Sequence, residues 1–128
     1  MKKRRRKRYH TGTYVSTKTG QECRYRSGWE LKYMQHLDAD PTVVEFLYET
    51  VVIPYVSNLR TKKVRRYYPD FFVSYADGHK VLVEIKPKRR LSQARVQKKL
   101  AAAEAFCRVH EMTLVIITEH ELKGLGLL

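Results

Sequence analysis

The sequence predicts a single α/β domain in which helices flank a central mixed β-sheet. The segment PDFFVSYADGHKVLVEIK at 69–86 has two apolar runs around Asp77-Gly78, a pair typical of a tight hairpin turn. A helix predicted over 92–109 precedes TLVIIT at 113–118, a continuous apolar run that suits a buried strand. Such a helix must cross over the sheet, so it covers one face. The length of 128 residues, 43% of them hydrophobic, suits one core.

The first predicted helix runs from about residue 28 to residue 37. Ser27 is a suitable N-cap, and Glu30 lies three residues later, as in a capping box. Apolar residues recur along one side of this helix, so that side is expected to face the core. The stripe consists of Trp29, Tyr33 and Leu37.

Periodicity and turn signals predict the remaining elements. Asp40-Pro41 ends the first helix, residues 43–54 are expected to form one strand, and 55–63 a polar connection. The predicted order is helix, strand, strand, strand, helix, strand (αβββαβ), and the last strand should lie beside the one that carries Glu84. A short helical turn follows from residue 119. The core-facing stripe of the second helix is Val96, Leu100, Ala103 and Cys107.

The charge indicates a polyanionic partner, and DNA is the leading candidate. Lys and Arg number 26 against 13 Asp and Glu, which gives a formal net charge of +13. Residues 1–20 are expected to be a basic, flexible arm and 21–128 the folded domain, with 9–27 extended or looped. A nucleic-acid-binding arm, an import signal and a solubilising tail all fit the basic block. That block is Lys2, Lys3, Arg4, Arg5, Arg6, Lys7 and Arg8.

Membrane insertion and a structural zinc site are not expected. No apolar run approaches the ~20 residues that span a bilayer, and no signal peptide follows the basic N-terminus. We therefore expect a soluble, intracellular protein. Cys107 and His110 have the spacing of half a zinc site, but Cys107 lies in an apolar stripe, and a buried free thiol is the better interpretation.

The second strand of the hairpin predicts an acidic pocket. Side chains alternate along a strand, so Glu84 and Lys86 share one face, and the hairpin can bring Asp70 beside them. Two carboxylates in a basic protein suit Mg²⁺, for which Mn²⁺ can substitute, with substrate phosphates completing the coordination. The alternative is a solvent-facing hairpin on which Glu84 and Lys86 are merely exposed.

Glu30 has two interpretations, which do not exclude each other. It can cap the first helix, or it can add a third carboxylate to the pocket. Basic residues flank the predicted pocket on both sides in sequence, where they could hold the phosphates of a duplex, although exposed cations are also ordinary. They are Arg65, Arg66, Lys88, Arg89 and Arg90.

Several motifs together resemble a known nuclease family. Pro69-Asp70 followed by Glu84-Ile85-Lys86 matches the PD-(D/E)xK signature. The stretches RYRSGWELKYMQHLDADPTVVEFLYETVVIPY, RRYYPDFFVSYADG and LVEIKPK, within about 24–90, resemble the TnsA-type endonucleases of transposons and the head-completion nucleases of large tailed phages. HTGTY, IPYVSN, RRYYPDFFV and the short chain make the phage type the closer one.

The resemblance implies a restriction-endonuclease-like fold and metal-dependent cleavage of DNA. By position, Glu30 is the carboxylate of the helix, while Asp70 and Glu84 are the metal ligands. Lys86 is the catalytic lysine, and the Ile85 carbonyl is expected as a backbone ligand. Phage head or neck proteins are the implied partners, and the host cytoplasm or the virion the implied location.

Other functions remain open at this point. A transposon-end or Holliday-junction endonuclease would use the same set of residues. A structural DNA-binding protein of a phage particle could keep the fold without the chemistry, and a small RNA-binding protein of ribosomal character is compatible with the charge. An acidic cluster is not what simple phosphate binding requires, which favours the nuclease.

Overall fold

Residues 11–128 alternate short strands with three α-helices. The structure is a computed structural model that describes residues 11–128. A 3-10 turn, Lys88–Arg90, precedes the second helix. The elements are β1 Gly12–Val15, β2 Glu22–Tyr25, α1 Gly28–Ala39, β3 Val43–Tyr48, β4 Ile53–Asn58, β5 Lys63–Tyr67, β6 Phe71–Tyr75, β7 Lys80–Ile85, α2 Ala94–Val109, β8 Thr113–Ile117 and α3 Glu119–Gly124.

The central sheet is mixed and has four strands in the order β3-β6-β7-β8. β6 pairs antiparallel with β3 and β7, and β8 pairs parallel with β7. Gly78 has φ +89° in the turn between β6 and β7, a conformation that glycine adopts without strain. The predicted α/β class, the hairpin and the place of the last strand are confirmed, and the αβββαβ order holds for the four strands of the central sheet with α1 and α2.

Both faces of the central sheet are covered. Tyr33 and Leu37 of α1 pack with Phe71 and Val83 in one buried cluster, which α3 also joins. On the other face, Leu82 packs with residues of α2 and of the β4–β5 hairpin. The alternative of a solvent-facing β6–β7 hairpin is therefore wrong, because helices bury each side of it.

The second helix presents its apolar side to this second cluster, as predicted. All four stripe residues, Val96, Leu100, Ala103 and Cys107, are buried. Cys107 is a buried free thiol, as expected, and so is Cys23. Within residues 11–128, no helix is long and apolar enough to cross a membrane.

The single strand predicted over 43–54 is wrong. β3 ends at Tyr48, Glu49 turns the chain with φ 53°, and β4 belongs to a separate two-stranded sheet with β5. Much of the expected polar connection over 55–63 is thus the β4 strand and its turn. This hairpin is stabilised by contacts distant in sequence, since Ile53 and Tyr55 bury against α2.

The extended arm or loop expected over 9–27 is wrong for its larger part. β1 and β2 pair as an antiparallel hairpin, and Cys23 of β2 is fully buried. The basic block at 2–8 lies outside the described residues, so the division of the chain at residue 20 stays a prediction.

Asp38 of α1 holds the β1–β2 hairpin in place. Its carboxylate accepts hydrogen bonds from the Tyr14 hydroxyl, the Ser16 hydroxyl and the Thr17 amide. Burial raises the pKa of Asp38, but these hydrogen bonds outweigh burial and hold that pKa below its ordinary value. The ionised form of Asp38 is therefore the one that stabilises the hairpin.

Replacing Asp38 with Asn should lower the free energy of unfolding by about 1–2 kcal/mol at pH 7, because hydrogen bonds to a charged acceptor are lost. A lowered folded-state pKa gives stability that is present above the ordinary pKa and disappears as the pH falls through the folded-state pKa. Urea unfolding should therefore show a smaller difference between wild type and variant at pH 3 than at pH 7. An equal difference at both pH values would contradict the role of the Asp38 charge.

Candidate active site

Asp70 and the end of β7 meet at one edge of the central sheet. Asp70 directly precedes β6, whose first residue, Phe71, pairs with Val83 of β7. The Ile85 amide donates a hydrogen bond of 2.7 Å to Oδ2 of Asp70. The antiparallel register therefore brings Asp70 beside the Glu84-Ile85-Lys86 segment, as the hairpin predicted.

Glu84 is buried, and two side chains hold its carboxylate. The Tyr67 hydroxyl, at the end of β5, donates to Oε2 at 2.6 Å. The Lys86 ammonium lies 3.5 Å from Oε1, and the Lys86 side chain is 16% exposed. Burial raises the pKa of Tyr67, and the Glu84 charge raises it further, so the tyrosine stays a protonated donor.

Glu30 both supports the start of α1 and faces the site. The Ser27 hydroxyl accepts the Glu30 amide at 3.2 Å, which confirms the predicted N-cap. The Glu30 carboxylate accepts a hydrogen bond of 2.7 Å from the backbone amide of Arg26, the residue before the N-cap. It accepts a second hydrogen bond, of 3.0 Å, from the Tyr48 hydroxyl. Glu30 is 6% exposed, and these two donors supply one hydrogen bond to each of its carboxylate oxygens.

Glu49 adds a further carboxylate beside Glu30 and Asp70, and sequence analysis missed it. One oxygen from each of Glu30, Glu49 and Asp70 lies within 4.8 Å of the others. The Glu49 amide donates to the Asp70 carbonyl at 3.0 Å, and the Arg26 guanidinium lies 3.0 Å from the Glu49 carboxylate. Glu84 is not a member of this group of oxygens, although its charge acts on Asp70.

The local conformation of Glu49 explains why the sequence did not reveal it. Glu49 ends β3 in a left-handed conformation, φ 53°, which non-glycine residues adopt infrequently. No glycine or asparagine marks this turn in the sequence. Only the contact between residues 49 and 70 places its carboxylate in the cluster.

The carboxylates destabilise one another's ionised forms. Burial raises the pKa of Asp70 well above its ordinary value, and the charges of Glu84 and Glu30 raise it further. Burial also raises the pKa of Glu84, against the opposing effects of Tyr67 and Lys86. Burial likewise raises the pKa of Glu49, against the Arg26 charge. A cation bound among these oxygens would relieve the repulsion.

The carboxylates of Glu30, Asp70 and Glu84 line an open cleft of about 660 Å³. Arg26, Lys86, Arg89 and Arg90 also line it, so the acidic centre has a basic rim. The remaining predicted DNA contacts that fall within residues 11–128 lie elsewhere. Lys88 is exposed on the far side of the 3-10 turn, and Arg65 and Arg66 line a second groove.

Replacing Asp70 with Asn should stabilise the metal-free protein at pH 8. The folded-state pKa of Asp70 is raised, so the protonated carboxyl group favours the folded state. This stability is present at pH values below the ordinary pKa of Asp and is lost as the pH rises through the folded-state pKa. Asn avoids that loss, and we expect a gain of roughly 0.5–2 kcal/mol in the free energy of unfolding. Urea unfolding in EDTA at pH 8 and pH 4 measures it, and the gain should shrink at pH 4.

The matched control is Asp77→Asn, which removes an exposed carboxylate and leaves an Asn-Gly turn. A gain in the control equal to that of Asp70→Asn would show that net charge, and not the crowded site, is responsible.

Comparison with known proteins gives one family match and one curated relative. Residues 40–119 match the family described as TnsA-like endonuclease N terminal. The head completion nuclease of Enterobacteria phage T4 is 42% identical over 65 residues, which are 51% of this chain and 43% of that protein. The chain thus spans less than half the length of that relative. Because the family match extends over more than half of the chain, this protein belongs to the TnsA-like endonuclease N-terminal family.

Proposed function

We propose that this protein is a metal-dependent DNA endonuclease that hydrolyses phosphodiester bonds. The observation that carries the proposal is the convergence of Glu30, Glu49 and Asp70. Two of these carboxylates, Glu30 and Asp70, line a cleft together with Glu84 and Lys86. A buried acidic cluster is costly unless a cation occupies it, and the net charge of +13 suits a polyanionic substrate. The family match supports the nuclease chemistry.

The donor set fits Mg²⁺, with Mn²⁺ as a substitute. All the side-chain donors are carboxylate oxygens, which hard divalent cations prefer. In this proposal Asp70 is the central metal ligand. Further ligands are Glu84, the Ile85 carbonyl and Glu30. Glu49 joins them because its carboxylate lies in the cluster with Glu30 and Asp70. When bound, the metal lowers the pKa of a water molecule and neutralises charge that develops on the phosphate.

The side chains around the metal ligands have separate tasks. Lys86, held against Glu84, is placed at the cleft to orient or deprotonate the attacking water, or to stabilise the pentacovalent phosphorus. Tyr67 fixes the other oxygen of Glu84, which leaves fewer orientations for that carboxylate. Arg89 and Arg90 on the rim are positioned to contact substrate phosphates. Residues 2–8 remain proposed DNA contacts on charge alone.

The biological context of the proposal is a phage head. The T4 relative is named a head completion nuclease, and 42% identity over 65 residues supports a related role on packaged DNA ends. Contacts with head or neck proteins, and a location in the host cytoplasm or the virion, belong to this proposal. A transposon-end or junction-cleaving enzyme is a competing substrate assignment, and the experiment below separates them.

Replacing Lys86 with Ala should reduce Mg²⁺-dependent cleavage by at least ~10²-fold, because charge at the phosphate is no longer stabilised. Supercoiled, linear and four-way-junction DNA should be compared as substrates, with binding measured in EDTA. DNA binding should remain within a few-fold of the wild type. Lys80→Ala is the matched control, since Lys80 is the exposed first residue of the same strand.

Activity retained in Lys86→Ala would contradict the catalytic role of this lysine. If neither protein cleaves DNA with Mg²⁺ or Mn²⁺ and both bind tightly, the structural DNA-binding alternative would replace the nuclease. Preference for four-way junctions over linear ends would favour junction cleavage.

Mg²⁺ should raise the thermal unfolding midpoint of the wild type, because a ligand that binds only the folded state stabilises it by RT ln(1 + [L]/Kd), ~2.7 kcal/mol at 100 times Kd. Asp70→Ala should lose most of this dependence on Mg²⁺, and Asp77→Asn should keep it. EDTA should abolish the effect. An identical Mg²⁺ response in Asp70→Ala would rule out Asp70 as the central ligand.

A further inference from the structure

A second groove, between α2 and the β4–β5 hairpin, carries a concentrated positive charge. It has a volume of about 830 Å³. Of the nine described residues that line it, six are Lys or Arg and none is Asp or Glu. The cationic side chains belong to β5 and α2 and line the same groove. On an ordinary convex surface, by contrast, charged side chains point away from one another into solvent. They are Lys63, Arg65, Arg66, Arg95, Lys98 and Lys99.

The packing of the hairpin on α2 produces this groove. Ile53 and Tyr55 are buried in the cluster that includes α2 residues, which fixes the hairpin against the helix. Tyr55 pairs with Arg65, and Asn58 pairs with Lys63, so the basic residues continue from the buried part towards solvent. The Lys98 ammonium donates to the Ser57 carbonyl at 2.9 Å and ties the two walls together.

The groove leads away from the active site. Tyr67, the last residue of β5, donates its hydroxyl to Glu84, and the Lys99 ammonium lies 5.8 Å from the centre of the Tyr67 ring. Burial lowers the pKa of Lys99, and the charges of Lys86 in the cleft and Arg95 in the groove lower it further. From Tyr67 to Lys63 the strand spans about 13 Å, the axial rise of about four nucleotides.

We propose that this groove binds the phosphate backbone of DNA on one side of the cleaved bond, with Lys63, Arg95 and Lys99 as contacts. The inference rests on the proposed nuclease function, since it assigns the flanking part of that substrate. Tyr55 is the aromatic residue among the described residues that line the groove, and it is buried. The groove therefore lacks a stacking platform, and the contacts are to phosphates and independent of sequence.

The test is the salt dependence of DNA binding by the full chain, measured in EDTA on a 30-base-pair duplex by fluorescence anisotropy. The double variant Lys63→Gln/Arg95→Gln removes two exposed cations of the groove. The slope of log K against log salt concentration should become shallower by roughly 1.8, about 0.9 for each lost phosphate contact. The control Lys80→Gln/Arg108→Gln removes the same charge at exposed positions outside the groove and should keep the wild-type slope.

Photo-cross-linking gives a second readout that does not depend on the double variant folding. Cys23 and Cys107 are buried, so a cysteine at position 63 can be labelled selectively with a photoactivatable maleimide. DNA should cross-link to labelled Lys63→Cys and at least ~5-fold less to labelled Lys80→Cys, because only position 63 lines a phosphate site. Equal cross-linking at both positions would overturn the assignment of the groove.

Cleavage assays on the same preparations separate this inference from the nuclease proposal. Equal slopes for the two double variants would overturn the groove inference, even if the wild type cuts DNA. A shallower slope for Lys63→Gln/Arg95→Gln alone, with no cleavage by the wild type, would support the groove as a DNA site and overturn the nuclease.

Discussion

The hydrogen bond from the Ile85 amide to the Asp70 carboxylate joins the start of β6 to the end of β7. It fixes Asp70 next to Glu84 and Lys86 at the end of β7. Glu49 is placed by its own backbone bond to Asp70, and Glu30 comes from the start of the helix on the same side. The remaining parts of the site are therefore positioned relative to Asp70, and the antiparallel register of β6 and β7 determines where Asp70 lies.

The crowding of carboxylates costs stability, and neutral donors limit that cost. Tyr48 donates to Glu30 and Tyr67 to Glu84, and burial raises the pKa of both phenols, so each remains a donor. Hydrogen bonds to a carboxylate favour its ionised form. Two tyrosines from different strands thus hold negative charge in a buried place without adding positive charge that would compete with a bound cation. Proteins often carry such a loss of stability at sites where function requires unfavourable contacts, here between buried carboxylates.

The predictions that held were those in which periodicity or a turn signal determines the structure. The Asp77-Gly78 turn, the stripe of α2 and the convergence of Asp70 with the β7 residues follow from spacing alone. The β1–β2 and β4–β5 hairpins did not follow, because contacts distant in sequence stabilise them, such as Asp38 with Tyr14 and Tyr55 with α2. Glu49 joins the cluster because its backbone is left-handed, and no glycine or asparagine in the sequence indicates a turn there.

The β4–β5 hairpin forms a sheet of its own, and within residues 11–128 no strand ladder joins it to the central sheet. Short chain connections and side-chain contacts set its position relative to the carboxylates, with Tyr67 at its inner end and Lys98 bridging further out. Insertions or charge changes at its tip, around Leu59 to Lys62, leave every ladder of the central sheet intact. The proposed phosphate contacts of the groove can therefore change in evolution while the geometry around Asp70 stays the same, provided that residue 67 keeps its hydroxyl.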